Sequence, residues 1–477
     1  MTHFDLMIPG ATSTDKVTVT APYDGSDIAS VAVANATAIE TALQTAYGLY
    51  RDRSKWLKAS ERIAILDKAA EIMNERAEEL AVEAAREGGK PLLDSRVEVA
   101  RAIDGVKNCI ECIRTEVGEE IKMGVNPASD GRLAFTHHEP IGVVVSVSAF
   151  NHPLNLIVHQ VGPAIASGCP VIVKPTQDTP LSCLRFVEIL REAGLPAEWC
   201  QPAVISDRDV STSLVADSRV GFFSFIGSAR VGWMLRSKLA PGARCALEHG
   251  GVAPVILEPD ADLDDAIPLL AKGGFYHAGQ VCVSVQRVFC HESVMQQVAE
   301  GIANVGEGMK VGDPTSADTD VGPLIRPREN DRVHEWVTEA IQAGATKLCG
   351  GEKISDSCYQ PTVLVNPPAD AKVSTAEVFG PVICVYSYTD IDEAIARANS
   401  LDVSFQASVF TKHLDTAMHA YKQLDASAVM VNDFTAFRVD WMPFAGLKHS
   451  GLGVGGIPYT FEDMQIKKMI VVRSPAL

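Results

Sequence analysis

Between residues 140 and 257, short runs of β-branched and aromatic residues alternate with segments of helical periodicity; the runs are 143–147, 171–173, 203–205, 220–225, 245–247 and 255–257. Each run is apolar at nearly every position, not at every second one, so the strand it forms must be covered on both faces. Strand, helix and strand in repetition, with buried strands, is the pattern of a parallel sheet flanked by helices. A second α/β pattern runs from about 262 to 431, with helices expected near 262–276, 292–306, 326–343, 390–400 and 413–423. Residues 36–114 are helical in pattern. There Ile63, Leu66, Ala70, Met73, Ala77 and Leu80 recur at spacings of three and four, which predicts one long helix. Gly88-Gly89-Lys90-Pro91 stops it, and another helix follows to about Arg114. Lys467 to Arg473 read as a strand beyond the last domain.

The 477 residues suggest two to four structural units. With 42 basic against 60 acidic side chains the net charge is −18, which argues against nucleic-acid partners and anionic membranes, both of which want basic surface. The stretch from Pro140 to Val173 has no charged side chain apart from its histidines. Asn151, His152, Pro153, Asn155, His159, Gln160 and Pro163 interrupt it, so it reads as a buried strand, a loop, a helix and a second strand, not as a membrane span. The eleven cysteines are scattered and odd in number, and Met1-Thr2-His3-Phe4-Asp5 lacks the basic head and apolar run of a secretory signal. Reduced thiols in the cytoplasm are the expectation. Cys109 and Cys112 stand two residues apart in a helical pattern with no second pair, so they read as packing and no metal site is expected.

Gly451-x-Gly453-x-x-Gly456 has the spacing of a dinucleotide fingerprint. That fingerprint needs a preceding strand and a βαβ unit of about 30 residues around it. Here it follows Pro443-Phe444-Ala445-Gly446 close to the end of the chain, so it reads as a glycine-rich loop at a domain junction. Gly-x-Ser-x-Gly, Walker A and His-Glu-x-x-His motifs are absent. What remains is a series of short motifs. Ala149-Phe150-Asn151-His152-Pro153 comes first, then Lys174-Pro175, Phe225-Ile226-Gly227-Ser228, Glu248-His249-Gly250-Gly251, Gly279-Gln280-Val281-Cys282, Glu377-Val378-Phe379-Gly380-Pro381 and Pro443 to Gly451. In this order they resemble the NAD(P)-dependent aldehyde dehydrogenase superfamily, over essentially the whole chain.

The resemblance implies an α/β fold with a Rossmann-like cofactor domain, an α/β catalytic domain and a small β oligomerisation element. The expected boundaries are 1–117 with 138–247, 248–446, and 118–137 with 447–477. It also implies oxidation of an aldehyde to its carboxylate with NAD or NADP. An aldehyde surrenders a hydride readily only after a nucleophile has made it a tetrahedral alkoxide. Cys282 is similar to that nucleophile, since a thiol attacks well and later leaves from a thioester. By the same resemblance Asn151 and the backbone N–H of Cys282 hold the alkoxide, worth about 3 kcal/mol per donor. Glu248 is the base that activates water against the thioester. Lys174 meets the adenine ribose, Gly227 and Ser228 open a helix toward the pyrophosphate, Glu377 holds the nicotinamide ribose and Phe379 packs beside it.

Four positions depart from the pattern. Gln177 stands where many NAD-preferring members have Glu, which removes a repulsion against a 2′-phosphate. Ile226 replaces Thr, His249 replaces Leu, and Ala445 replaces Gly. Arg101, His152 and Arg438 resemble the cationic substrate entrance of the lactaldehyde and phosphonoacetaldehyde-type dehydrogenases, which predicts a short anionic or hydroxylated aldehyde. Arg438 has an alternative reading as a partner of Asp440. The rivals are acyl transfer to coenzyme A, which would not need Glu248, and a non-catalytic homologue, which would not need Cys282, Asn151 and Glu248 together. The expected partner is a second copy of the chain, as a homodimer or homotetramer.

Overall fold

The computed structural model describes residues 2–477. Its first large sheet runs in the order Gly451–Leu452, Arg244–Glu248, Val220–Ile226, Val143–Val147, Val171–Lys174 and Cys200–Pro202. All pairs are parallel except the antiparallel edge made by Gly451–Leu452. The chain enters at Val143–Val147, winds outward to one side, and returns to add Val220–Ile226 on the other. The order of strands therefore reverses between these two, and a doubly wound sheet binds its ligand at the carboxyl ends beside that reversal. The loops there begin at Ser148 and Gly227.

The second sheet orders Thr346–Cys349, Thr362–Val365, Val382–Tyr388, Arg287–His291, Pro254–Leu257, Gln406–Phe410 and Ala428–Val431. Only its first pair is antiparallel. Each sheet has its own apolar core, because every helix-covered strand buries side chains to both sides. A third, antiparallel sheet pairs Gln465–Arg473 along its whole length with Arg132–Pro140, and Glu120–Ile121 lies beyond. A small amino-terminal sheet of Thr2–Phe4, Asp27–Ala32 and Lys16–Thr20 was not anticipated from the sequence.

Two expectations need correction. The long helix predicted through residue 80 is broken: Ala59–Glu75 ends and Ala77–Gly88 begins about Arg76, whose φ of −106° and ψ of 18° leave the helical region. On either side of this turn, both pieces pack on Leu92–Thr115 and Leu181–Glu192. The strand expected at 203–205 lies three residues earlier, at Cys200–Pro202. Gln201 and Pro202 hid it. The Gln201 amide is buried and donates to Ala42 O at 3.1 Å, and Pro202 is tolerated because this is an edge strand. Among the described residues no helix is long and apolar enough to cross a membrane.

Candidate active site

The nucleophile loop is built by geometry that few sequences accept. Helix Leu263–Phe275 ends in a tight turn in which His277 and Ala278 both have positive φ, 49° and 52°. Non-glycine residues visit this region at a cost of roughly 1–3 kcal/mol each unless the surroundings over-determine it. Gln280 supplies that constraint. Its side chain is buried, donates to His277 O and Pro323 O at 3.2 Å, and accepts the N–H of Ile325 at 3.0 Å. Cys282 follows, with its carbonyl accepting from Gly251 N–H at 3.2 Å and its flanks in the apolar cluster of Val281, Val283, Phe405 and Phe444.

Asn151 reaches this loop from the cofactor sheet, donating one amide hydrogen to Gln280 O at 2.8 Å. Glu248 ends its strand and turns its carboxylate onto backbone: a β-carbon on Gly455 would lie 2.0 Å from Glu248 Oε1. The glycine-rich segment 451–456 thus packs against Glu248, and its first residues pair with Leu247 and Glu248. Desolvation raises the Glu248 carboxyl, opposed by the charge of Arg438. Desolvation likewise pushes the Cys282 thiol up to about 12; Arg438 lowers it, while Glu377 and Glu248 raise it further.

The cofactor residues fit a dinucleotide. Lys174 stands at a strand end, and its nearest opposite charge, Asp178, is already held bidentately by Arg326. Gln177 donates to Ile205 O at 2.9 Å, which fixes its amide at the mouth of the same loop. Ser228 caps helix Ala229–Arg236 without using its hydroxyl, so the first N–H groups remain open to an anion. Glu377 has a buried Oε1 with no partner among the described residues, and desolvation pushes its carboxyl up to about 8. A β-carbon on Gly250 would lie 1.7 Å from that oxygen, so the glycine after His249 is what lets the acid approach. Phe379 packs edge-on to Phe150 at 5.8 Å. His249 bonds Gly227 O through Nδ1 at 2.8 Å and sits between Phe225 and Trp233, tying the base loop to the pyrophosphate loop.

The three residues expected at the substrate entrance lie within reach of one another's charge but have different partners. The Arg101 guanidinium is engaged by Asp440, Nε to Oδ2 at 3.1 Å and Nη2 to Oδ1 at 2.6 Å. That takes the partner the sequence offered to Arg438. Asp440 also accepts from Asn155 and from His159 Nε2 at 2.7 Å. Against desolvation, which raises it, those bonds and the charge of Arg101 hold its carboxyl well below the usual range. Arg438 lies flat over Phe444 at 3.5 Å, donates weakly to His159 Nδ1 at 3.4 Å, and has a buried Nε with no partner among the described residues. His152 is held by Tyr276 OH at 3.2 Å and kept neutral by desolvation and the neighbouring Lys90, Arg101 and Arg438 charges.

A cysteine among an amide, a carboxylate and an arginine with no bonded carboxylate, at the switch point of a doubly wound sheet, suits a nicotinamide-dependent oxidoreductase that passes its substrate through a thioester. Residues 9–470 match the aldehyde dehydrogenase family. The chain belongs to that family and is an NAD(P)-dependent aldehyde dehydrogenase. It is 37% identical over 461 residues to the 3-sulfolactaldehyde dehydrogenase of Priestia aryabhattai, spanning 97% of this chain and 96% of that one. It superposes with a TM-score of 0.95 and 34% identity on aldehyde dehydrogenase 21 of Physcomitrella patens in complex with the reaction product succinate, covering 99% and 98% of the two chains. The glyceraldehyde-3-phosphate dehydrogenase GapN of Methanocaldococcus jannaschii, complexed with NADP, gives a TM-score of 0.92 at 33% identity, covering 97% and 100%.

Sequence reasoning missed Lys90, Glu98, His159 and Asp440 as parts of the site. One signal was available. Asp94, Ser95 and Glu98 fall on the same helical face as Val99, Ala102 and Val106, and polar residues on a buried stripe need partners.

Proposed function

We propose that the substrate is a short aldehyde whose far end carries an anionic or hydroxylated group, received by Arg438 with His152 beside it. The observation that carries this reading is the imbalance at the site: Asp440 neutralises Arg101, and Arg438 is left facing Cys282 and Glu248 with no carboxylate bonded to it. A guanidinium in such a place binds a carboxylate or sulfonate bidentately. The 3-sulfolactaldehyde named for one relative and the succinate bound in a structural neighbour are anions of this kind.

In the reaction the Cys282 thiol gives its proton to water, Cys282 Sγ adds to the carbonyl carbon, and the carbonyl electron pair moves to oxygen. Asn151 Nδ2 and the Cys282 N–H hold that oxygen. Lys174, Gln177, Gly227, Ser228, Glu377 and Phe379 would hold NAD(P), which would supply the hydride acceptor. The carbon is then a thioester on Cys282. Glu248 removes a proton from water as its oxygen adds to this carbon, the C–S bond breaks, and the proton returns to sulfur. Glu248 thereby favours hydrolysis over transfer to coenzyme A. The test is the ratio of kcat/KM for a carboxylated aldehyde to that for propanal. Arg438→Lys and Arg438→Ala should lower it by on the order of 10²-fold, the size of a lost desolvated charge-assisted contact. Equal losses on both substrates would overturn the assignment.

The divisions 1–117 with 138–247, 248–446, and 118–137 with 447–477 serve in this reading as cofactor, catalytic and subunit-contact parts. Self-association is supported by an open strand Gln465–Arg473, on which Met469, Ile470, Val471 and Val472 are all exposed. A cytoplasmic setting suits eleven free thiols.

A further inference from the structure

Glu87 and Glu98 are fully buried carboxylates on one stretch of chain, and the reaction as derived uses neither. Glu98 Oε1 accepts the backbone N–H groups of Leu154 and Asn155, at 2.9 and 3.0 Å, while Oε2 meets buried Lys90 Nζ at 2.5 Å. Those N–H groups open helix Asn155–Ser167, immediately after the Asn151 loop. Glu87 repeats the device on helix Leu181–Glu192. Its Oε2 accepts the N–H of Leu181 at 2.7 Å, and its Oε1 accepts the N–H of Ser182 at 2.8 Å together with the Ser182 hydroxyl. The loop that enters this helix carries Lys174 and Gln177.

Neither helix has a capping side chain of its own, since Leu154 and Pro180 hold the cap positions. A carboxylate brought from elsewhere satisfies the orphan donors and meets the positive end of the dipole. The chain between the two acids touches both loops. A β-carbon on Gly88 would lie 3.6 Å from the Thr179 side chain, 3.7 Å from Phe150 O and 3.8 Å from Pro153. One buried segment is therefore wedged between the cofactor loop and the oxyanion loop and bonded to the helix behind each.

We propose that Glu98, charge-paired with Lys90, is a positioning residue for Asn151, and that Glu87 is a positioning residue for the loop of Lys174 and Gln177, so that this segment sets the two half-sites separately. The proposal rests on the roles given above to Asn151 and Lys174. Displacing a catalytic group by about 1 Å costs on the order of 10²-fold. Glutamine at 98 cannot serve two N–H groups and an ammonium, and it leaves Lys90 buried without its countercharge. Aspartate at 98 keeps the charge toward Lys90 but is one methylene too short for the helix.

The experiment is a pair of double-mutant cycles on the full-length enzyme, each protein first checked for a cooperative melt. The first reads the single-turnover rate of cofactor reduction. Glu98→Asp, or Glu98→Gln, should slow it by about 10- to 100-fold in the wild-type background and by less than about twofold on Asn151→Ala, because the donor being positioned is already gone. The second reads NADP dissociation by tryptophan fluorescence. Glu87→Gln should weaken binding about tenfold in the wild type and hardly at all on Lys174→Ala. Penalties that multiply undiminished onto Asn151→Ala or Lys174→Ala would overturn the proposal alone, leaving those residues in their roles, as would a fully active Glu98→Asp. A wild-type rate for Asn151→Ala would overturn the oxyanion assignment and the positioning of it together.

Discussion

In the resting enzyme the Cys282 thiol is protonated at neutral pH, since burial places it near 12 and only Arg438 among its neighbours draws it down. Inactivation by iodoacetamide should then keep rising about tenfold per pH unit through pH 9.5, with no plateau near the 8.5 of a free thiol. A plateau below pH 9 would show a thiolate already formed. Glu248 acts in the opposite sense. In its proposed role as base it works deprotonated, and its carboxyl is raised by burial, so the acid limb of kcat should lie above the ordinary glutamate value and activity should fall as pH drops through it. Glu248→Gln should keep a pre-steady-state burst of reduced cofactor and lose steady turnover, because only the thioester step needs the base. A Glu248→Gln enzyme at the wild-type steady rate would remove that role. At the other end of the cofactor, Gln177→Glu should raise KM for NADP more than for NAD, through repulsion of the 2′-phosphate. Equal effects on both cofactors would show that residue 177 does not face the 2′ position.

The elements were legible to the extent that their burial was uniform. The strands Val220–Ile226 and Pro254–Leu257 and the helices Glu292–Gly308 and Pro327–Gln342 lie where apolar runs and periodicity put them. The break at Arg76 and the strand at Cys200–Pro202 were not legible, because each is decided by what packs against it and not by its own pattern. The site divides in the same way. Cys282, Asn151 and Glu248 sit in short motifs and could be named from the resemblance. The commitment of Arg101 to Asp440 joins residues 339 apart in sequence, and spacing carries no trace of it. Segment 451–456 shows what a motif means once placed. Gly455→Ala would put a methyl 2.0 Å from Glu248 Oε1, so it should cut steady-state turnover by on the order of 10²-fold while leaving the burst. Loss of the burst itself would mean that the substitution disturbs Cys282 rather than the base.

On the scale of the whole molecule, Gln465–Arg473 is an edge strand of the third sheet and Ala428–Val431 of the second. An edge strand that exposes Met469, Ile470, Val471 and Val472 in succession calls for a covering surface. Val471→Pro, which removes an N–H from the open edge and not from the ladder with Arg132–Pro140, should shift the enzyme toward monomer in sedimentation velocity. An unchanged mass would exclude this strand from the contact. In the substrate mouth proposed above, Asp440 is bonded to Arg101 and not to Arg438. The valence of the ligand that the mouth can receive is thus decided by a residue that never touches it. Asp440→Asn would release a second positive charge, and the kcat/KM ratio of a phosphonated to a carboxylated aldehyde should rise. Specificity in such a site can change hands between singly and doubly charged substrates without a single new contact to either.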